Sequence, residues 1–231
     1  MKRIVVFTGA GMSAESGIKT FRDSDGLWEN HPVEEVATPQ AWARNPQLVM
    51  DFYNARRKQM REVEPNKGHL ALVELEKIFD VQIITQNVDN LHERAGSSKV
   101  LHLHGELSKV RSTKNSSFIY TPENWEVKLG DLAEDGAQLR PHIVWFGEQV
   151  PMFEKAIRIT ETADMMVVVG TSLVVYPAAS LIEYVPQAAP IILIDPKAEP
   201  QSFRKIEIIR GTAAEQLPIL IKRLIPSKNL N

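Results

Sequence analysis

Lys2-Arg3-Ile4-Val5-Val6-Phe7-Thr8-Gly9-Ala10-Gly11-Met12-Ser13-Ala14-Glu15-Ser16-Gly17 decides the fold. Ile4 to Phe7 form an unbroken apolar run, as expected of a strand covered on both faces. A glycine-rich turn follows at once, and the polar Ser13 to Ser16 are placed to open a helix. A strand, a tight turn and a helix N-terminus make a phosphate cradle. Glycines let the backbone approach a ligand, and free N–H groups with the helix dipole favour an anion. Gly9, Gly11 and Ala14 match the G-x-G-x-x-G/A spacing of dinucleotide-binding turns. Alone the match is weak, because other α/β folds also turn on glycines there.

Working outward, strands and helices alternate. Apolar runs at Val81–Thr85, Lys99–Gly105, Ala163–Ser172, Pro190–Asp195 and Lys205–Ile209 read as strands. Helical periodicity appears at His69–Phe79, Phe153–Thr162, Tyr176–Val185 and Ala213–Leu224. This alternation predicts the α/β class, with a Rossmann-like, doubly wound parallel sheet. Two stretches break the rhythm, at about residues 22–65 and 106–140. The first holds Thr38-Pro39, an N-cap with proline at the first helical position, and a longer helix from Pro46 to about Arg61. The second offers short strands at Lys109–Thr113 and Ser117–Tyr120 around an Asn115-Ser116 turn. The two insertions are expected to form a second, smaller domain. The nucleotide-binding domain then comprises 1–21, 66–105 and 141–231.

The bulk numbers narrow the function. With 231 residues, 43% hydrophobic and 24% charged, the chain suits one large globular domain carrying a smaller one. A net charge of −2 supplies no general attraction to nucleic acid or an anionic membrane. No apolar run approaches the roughly 20 residues of a membrane span, and no secretory signal is visible, so a cytoplasmic protein is expected. The chain has no cysteine, which excludes disulfides, a cysteine nucleophile and thiolate metal sites. Its six histidines lack metal-binding helical spacing, so no metal is expected.

Polar residues collect at the carboxyl ends of the predicted strands, where open α/β sheets bind ligands. Gln86-Asn87-Val88-Asp89 follows one strand, His104-Gly105 another, and Gly170-Thr171-Ser172 and Asp195 two more. Turn capping by Asn and Asp explains one or two of these but hardly all. Alternation puts His102 and His104 on one face, with His104 better placed for acid–base work. The loop from Ile18 to Trp28 reads as ordered or ligand-gated, carrying Phe21, Arg22 and Trp28. Tyr53 and Arg56 share a helix face; by themselves they also read as a core edge and a solvated basic face.

Gly9-Ala10-Gly11-Met12-Ser13, Thr20-Phe21-Arg22, Thr85-Gln86-Asn87-Val88-Asp89, His104-Gly105 and Gly170-Thr171-Ser172 together resemble the sirtuins, the NAD-dependent protein-lysine deacylases. The resemblance runs over essentially the whole chain. It implies that NAD, as co-substrate, and an acyl-lysine protein or peptide meet between the two domains. In that chemistry the acyl oxygen attacks C1′ of the nicotinamide ribose, nicotinamide leaves, and the 2′-hydroxyl then attacks the imidate. The products are free lysine, nicotinamide and O-acyl-ADP-ribose.

Carried onto this chain, the resemblance makes His104 the general base. Gln86 and Asn87 hold the ribose and a water, beside Val88, and Asp89 anchors the nicotinamide carboxamide. Arg22 faces the phosphates with Gly9, Ala10, Gly11 and Ser13, while Phe21 shields the ribose and Trp28 belongs to a mobile cofactor lid. Gly170, Thr171 and Ser172 contact the adenosine side, and Asp195-Pro196-Lys197 with Ala213 form the adenosine-end loops. Val144 and Phe146 lie on the strand, His142 to Glu148, that meets the substrate peptide.

Tyr53-Asn54-Ala55-Arg56 resembles the Tyr-x-x-Arg pair of the class III subgroup, which implies recognition of a terminal carboxylate on the acyl group. Desuccinylation and demalonylation are therefore expected beside deacetylation. Two departures stand out. Most sirtuins carry four zinc cysteines in the small domain; here Ser112, Thr113, Asn115 and Ser116 occupy that region, so no zinc is expected. Asp195 stands where asparagine is common.

Three rivals need different features. A hydride-transferring dehydrogenase requires an acid closing the second strand, roughly 20 residues past the glycines, where this chain has Pro32 and Thr38-Pro39. Mono-ADP-ribosyl transfer would label protein from NAD. A non-catalytic NAD-binding module would not need Asn87, Asp89 and His104 together.

Overall fold

The computed structural model describes residues 1–18, 27–28, 31–199 and 205–225. Its strands are β1 (Arg3–Thr8), β2 (Leu27–Trp28), β3 (His31–Pro32), β4 (Asp80–Thr85), β5 (Val100–His102), β6 (Gly105–Ser112), β7 (Ile119–Tyr120), β8 (Leu139–Ile143), β9 (Met165–Val169), β10 (Ile191–Ile194) and β11 (Glu207–Ile209). Its α-helices are α1 (Val33–Val36), α2 (Pro39–Arg44), α3 (Pro46–Glu62), α4 (Lys67–Glu76), α5 (Leu91–Ala95), α6 (Phe153–Thr160) and α7 (Ala213–Leu224).

The main sheet has six parallel strands in the order β11-β10-β9-β1-β4-β5. From β1 the chain runs outward through β4 and β5, then returns to β9 on the other side and runs outward through β10 and β11. The order therefore reverses between β1 and β9, which opens a crevice at their carboxyl ends. Alternation along β1 sorts the layers. Val5 and Phe7 pack with Ala156 of α6 and with Leu181 and Ile182. Ile4 and Val6 pack with Leu72 and Leu75 of α4 and with Leu217 and Ile221 of α7. Helices thus cover both faces, as the continuous apolar strands require.

The smaller unit joins α1, α2 and α3 to an antiparallel sheet ordered β7-β6-β8. Val49, Phe52 and Tyr53 of α3 share a core with Leu107, Ile143 and Trp145. Asn54 fastens the two insertions together: its amide donates to Val127 O at 2.8 Å and accepts from Val127 N at 3.0 Å. At the sheet's tip, buried Ser112 donates to Asp135 at 2.7 Å and accepts from the Lys114 and Asn115 backbone N–H groups. Strand β8, which the sequence reading divides at residue 140, pairs with β6 along Leu139–Pro141, so the small sheet takes in its whole length.

Three local expectations need correction. Ser13 to Ser16 open no α-helix. Ala10–Met12 and Ala14–Ser16 form two 3₁₀ turns, and Gly17 ends the second with φ +96°. Tyr176 to Val185 is a shorter 3₁₀ helix, Ala178–Tyr184, set between Pro177 and Pro186. Pro186 has no N–H to donate back into the helix, which limits it at its carboxyl end. The strand expected to run through His104 stops at His102, because Leu103 and His104 bend towards β6. Among the described residues no helix is long and apolar enough to cross a membrane.

Candidate active site

A cavity of about 460 Å³ follows the crevice. It takes lining from five successive strand ends in sheet order: Asp195 after β10, Gly170 to Ser172 after β9, Gly9, Ala10, Gly11 and Ser13 after β1, Gln86 to Asp89 after β4, and His104 after β5. Four strand spacings of about 4.8 Å make it roughly 19 Å long, the reach of an extended dinucleotide across a switch point. Pro196, Lys197 and Ala213 continue the lining at one end; Tyr53, Val144 and Phe146 join it at the other side. Arg56 is not among the lining residues. Its guanidinium lies 5.4 Å from the Phe52 ring centroid. Phe21, Arg22 and the Trp28 side chain lie outside the described residues.

The glycines at the switch point serve a contact between two turns. A Cβ on Gly11 would sit 2.7 Å from Gly170 Cα, and one on Gly9 would sit 2.7 Å from Thr171 Cβ. Gly170 has φ +62°, and its own Cβ would come within 2.5 Å of the Gly11 backbone. Gly9 N–H donates to Val169 O at 3.0 Å and Gly11 N–H to Gly170 O at 2.9 Å. Met12 and Ser13 N–H groups are likewise taken by the Gly9 and Ala10 carbonyls. Two 3₁₀ turns therefore stand where a helix was expected, and these four N–H groups of the expected cradle are already engaged. The segment offers small side chains and close backbone instead.

Ser13 links the β1 and β4 ends. Its buried hydroxyl donates to Asp89 Oδ2 at 2.9 Å and accepts from Asn87 Nδ2 at 3.1 Å. Asn87 Nδ2 also donates to Gly9 O at 3.0 Å, and Leu91 N–H donates to Asp89 Oδ1 at 3.1 Å. Burial pushes the Asp89 carboxyl above its usual range, opposed by the bonds from Leu91 and Ser13. Below this layer, Thr85 Oγ1 accepts from Asn87 N–H at 3.0 Å and from Thr8 Oγ1 at 2.8 Å. Gln86 reaches across to donate to Thr171 Oγ1 at 3.1 Å.

The two histidines take different jobs. His104 places Nδ1 3.1 Å from Gln86 O, so in neutral imidazole the proton sits on Nδ1 and Nε2 carries the lone pair. Burial lowers its pKa, against that bond. His102 instead sets Nδ1 2.9 Å from Asn87 O and Nε2 2.9 Å from Glu93. Burial works against the charged ring, but the Glu93 bond and charge outweigh it and raise the pKa. Both His102 nitrogens thus sit on acceptor oxygens and brace the loop, while His104 faces the cavity as a base. The expected shared face is lost at the bend after β5.

The far wall is the hydrogen-bonded segment that follows β8. Val144 N–H donates to His104 O at 2.9 Å and Phe146 N–H to Ala37 O at 3.0 Å. Glu148 accepts from Arg140 Nη1 at 2.7 Å and from Trp145 N–H at 2.8 Å. The Arg140 guanidinium stacks 3.3 Å from the Trp145 ring centroid. Trp145 Nε1 donates to the Tyr53 hydroxyl at 3.1 Å. Burial holds the Tyr53 phenol well above its usual range, so it keeps its proton. Sequence reasoning placed Trp145 and Glu148 within the peptide-facing stretch but gave neither a partner, and it missed the Ser13–Asp89 link.

A sheet of this order, with a base, a buried acid and an amide at one end of its switch-point crevice, defines a Rossmann-like nucleotide-binding enzyme class. The model of the Sir2 family matches residues 9–177, and the chain belongs to that family. A Bacteroides thetaiotaomicron protein named NAD-dependent protein deacylase is 59% identical over 98% of this chain and 100% of its own. A Helicobacter pylori protein of the same name is 55% identical over 97% of this chain and 98% of its own. A solved Sir2 homologue in complex with NAD is 43% identical, with a TM-score of 0.87 over 96% of this chain and 89% of that one.

Proposed function

We propose that this chain is an NAD-dependent protein-lysine deacylase. One observation carries the reading: a single cavity joins five strand ends, with His104, Asn87 and Asp89 gathered at one end and Asp195 and Ala213 at the other. NAD supplies the glycosidic bond that breaks and the ribose that receives the acyl group. The donor set fits it. Asp195 suits a ribose hydroxyl, the small residues at the switch point leave room for the pyrophosphate, and Gln86, Asn87 and Asp89 present amides and an acid to the nicotinamide end.

Each residue then has a physical task. Asp89 accepts from the carboxamide, and Ser13 keeps it aligned. Asn87 orients the ribose and a water. Bond cleavage at C1′ builds positive charge, which a dry and oriented site favours more than a strong acid. His104 Nε2 takes a proton once the ribose hydroxyl attacks. Val144 and Phe146 seat the peptide beside it.

The same reading extends to acidic acyl groups. Tyr53 reaches the cavity as a protonated phenol, and Arg56 lies three residues further along α3. A terminal carboxylate of succinyl- or malonyl-lysine uses both as donors, whereas acetyl-lysine cannot. The test is mass spectrometry of products from NAD with one peptide carrying acetyl-, malonyl- or succinyl-lysine. Nicotinamide release with O-acyl-ADP-ribose is expected, at least as fast for the acidic acyl groups. Formation of NADH, ADP-ribose transferred to protein, or no nicotinamide release overturns the proposal.

A further inference from the structure

A second cavity, of about 240 Å³, lies further along α3 than Tyr53 and Arg56 and includes Arg57, Arg61, Asn90, Thr121 and Trp125 in its lining. Arg57 is 2% exposed, yet its Nε and Nη2 have no partner among the described residues. Only Nη1 is held, donating to Asn54 Oδ1 at 3.3 Å. The Nε–Nη2 side of a guanidinium is one of its two forks, and it receives a carboxylate or phosphate through two parallel bonds. Here that fork is desolvated, and among the described residues no acid pairs with it.

The surroundings agree in sign and shape. Arg61 adds a second guanidinium to the lining, and Lys58 Nζ lies 5.8 Å from the Trp125 ring centroid. The sole acid in the lining, Glu123, is solvent-exposed. Asn90 Oδ1 is buried without a partner among the described residues. Turning that amide over presents Nδ2, a donor, to the same space without changing its shape. A buried charge with no counter-charge is costly, and an incoming oxyanion relieves that cost.

We infer that this cavity is an anion site, distinct from the catalytic crevice, which takes a small carboxylate- or phosphate-bearing molecule side-on against Arg57. Asn90 directly follows Asp89, so an occupant there also braces the turn that carries Gln86, Asn87 and Asp89.

The test titrates ¹⁵N-labelled protein with inorganic phosphate, malonate and, at matched ionic strength, chloride. Saturable movement of the Arg57 Nε–H and Trp125 Nε1–H resonances is expected with an oxyanion and not with chloride. Phosphate against malonate then tells which oxyanion the site prefers. Adding ADP-ribose separates the two cavities, since an anion held at Arg57 survives it. Arg57→Lys keeps a charge but loses the fork, and should weaken binding roughly tenfold or more. Arg61→Gln, an exposed change, should weaken binding less while leaving the fold intact. Movement confined to the catalytic crevice, competition by ADP-ribose, an equal response to chloride, or no saturable movement each overturns the inference.

Discussion

Ser13→Ala removes a hydroxyl that serves two buried partners at once. Asp89 is 6% exposed and Asn87 8%, so neither gains full access to water when the hydroxyl goes. A hydrogen bond to a charged group contributes about 1.5–3 kcal/mol, and a buried donor left unpaired costs about 1–3 kcal/mol. Asn87 Nδ2 keeps Gly9 O as a partner, so its loss lies at the low end. The expected destabilisation with Asp89 ionised is about 3 kcal/mol. The sign with pH follows from Asp89, whose folded pKa lies above its unfolded value. Such a group adds stability below the unfolded pKa, and that contribution is lost as pH rises through the folded one. Losing the Ser13 donor raises the folded pKa further. The penalty of Ser13→Ala is therefore full where Asp89 is ionised and shrinks in acid. Urea denaturation of wild type, Ser13→Ala, Asp89→Asn and the double variant measures it. A coupling energy of about 1.5–3 kcal/mol is expected. Additive effects within about 0.5 kcal/mol, or a penalty that grows in acid, would refute the reasoning.

Three further expectations follow from the site. Because burial lowers the His104 pKa, kcat/KM should fall on the acid side with a midpoint below the ordinary histidine value of about 6.5; a midpoint above it contradicts the assignment. Arg56→Met should lower desuccinylation roughly tenfold more than deacetylation on one matched peptide, and equal losses would remove Arg56 from acyl recognition. Glu148→Gln weakens the Arg140 pair and the Trp145 N–H bond, so thermal melting should show a loss of about 1–3 kcal/mol, with KM for peptide rising more than KM for NAD.

Much of the architecture was legible because it is local. The apolar run Ile4 to Phe7, and those of β9 and β10, have no solvated face, which already implies helices on both sides. Strands alternating with helices imply parallel pairing by right-handed crossovers. The order of polar groups at the strand ends was legible for the same reason, since each follows its own strand directly. Tertiary partners were not. Ser13 and Asp89 are 76 residues apart, and Tyr53 and Trp145 are 92 apart. No short-range pattern encodes which of several hydroxyls or rings will meet.

The opening stretch shows where the two kinds of information divide. Its sequence determined a buried strand running into a glycine turn at the edge of a binding crevice. Its glycine spacing did not say what the glycines were for. The tertiary structure decided that: Gly9 and Gly11 let this turn press against Gly170 and Thr171, where the sheet order reverses. It also replaced the expected helix with two 3₁₀ turns, and it split His102 from His104 at a bend that alternation could not foresee. Local chemistry sets what each segment can become. Which backbone lies against which is set only when the crossovers bring distant segments together, because close approach is a property of the pair.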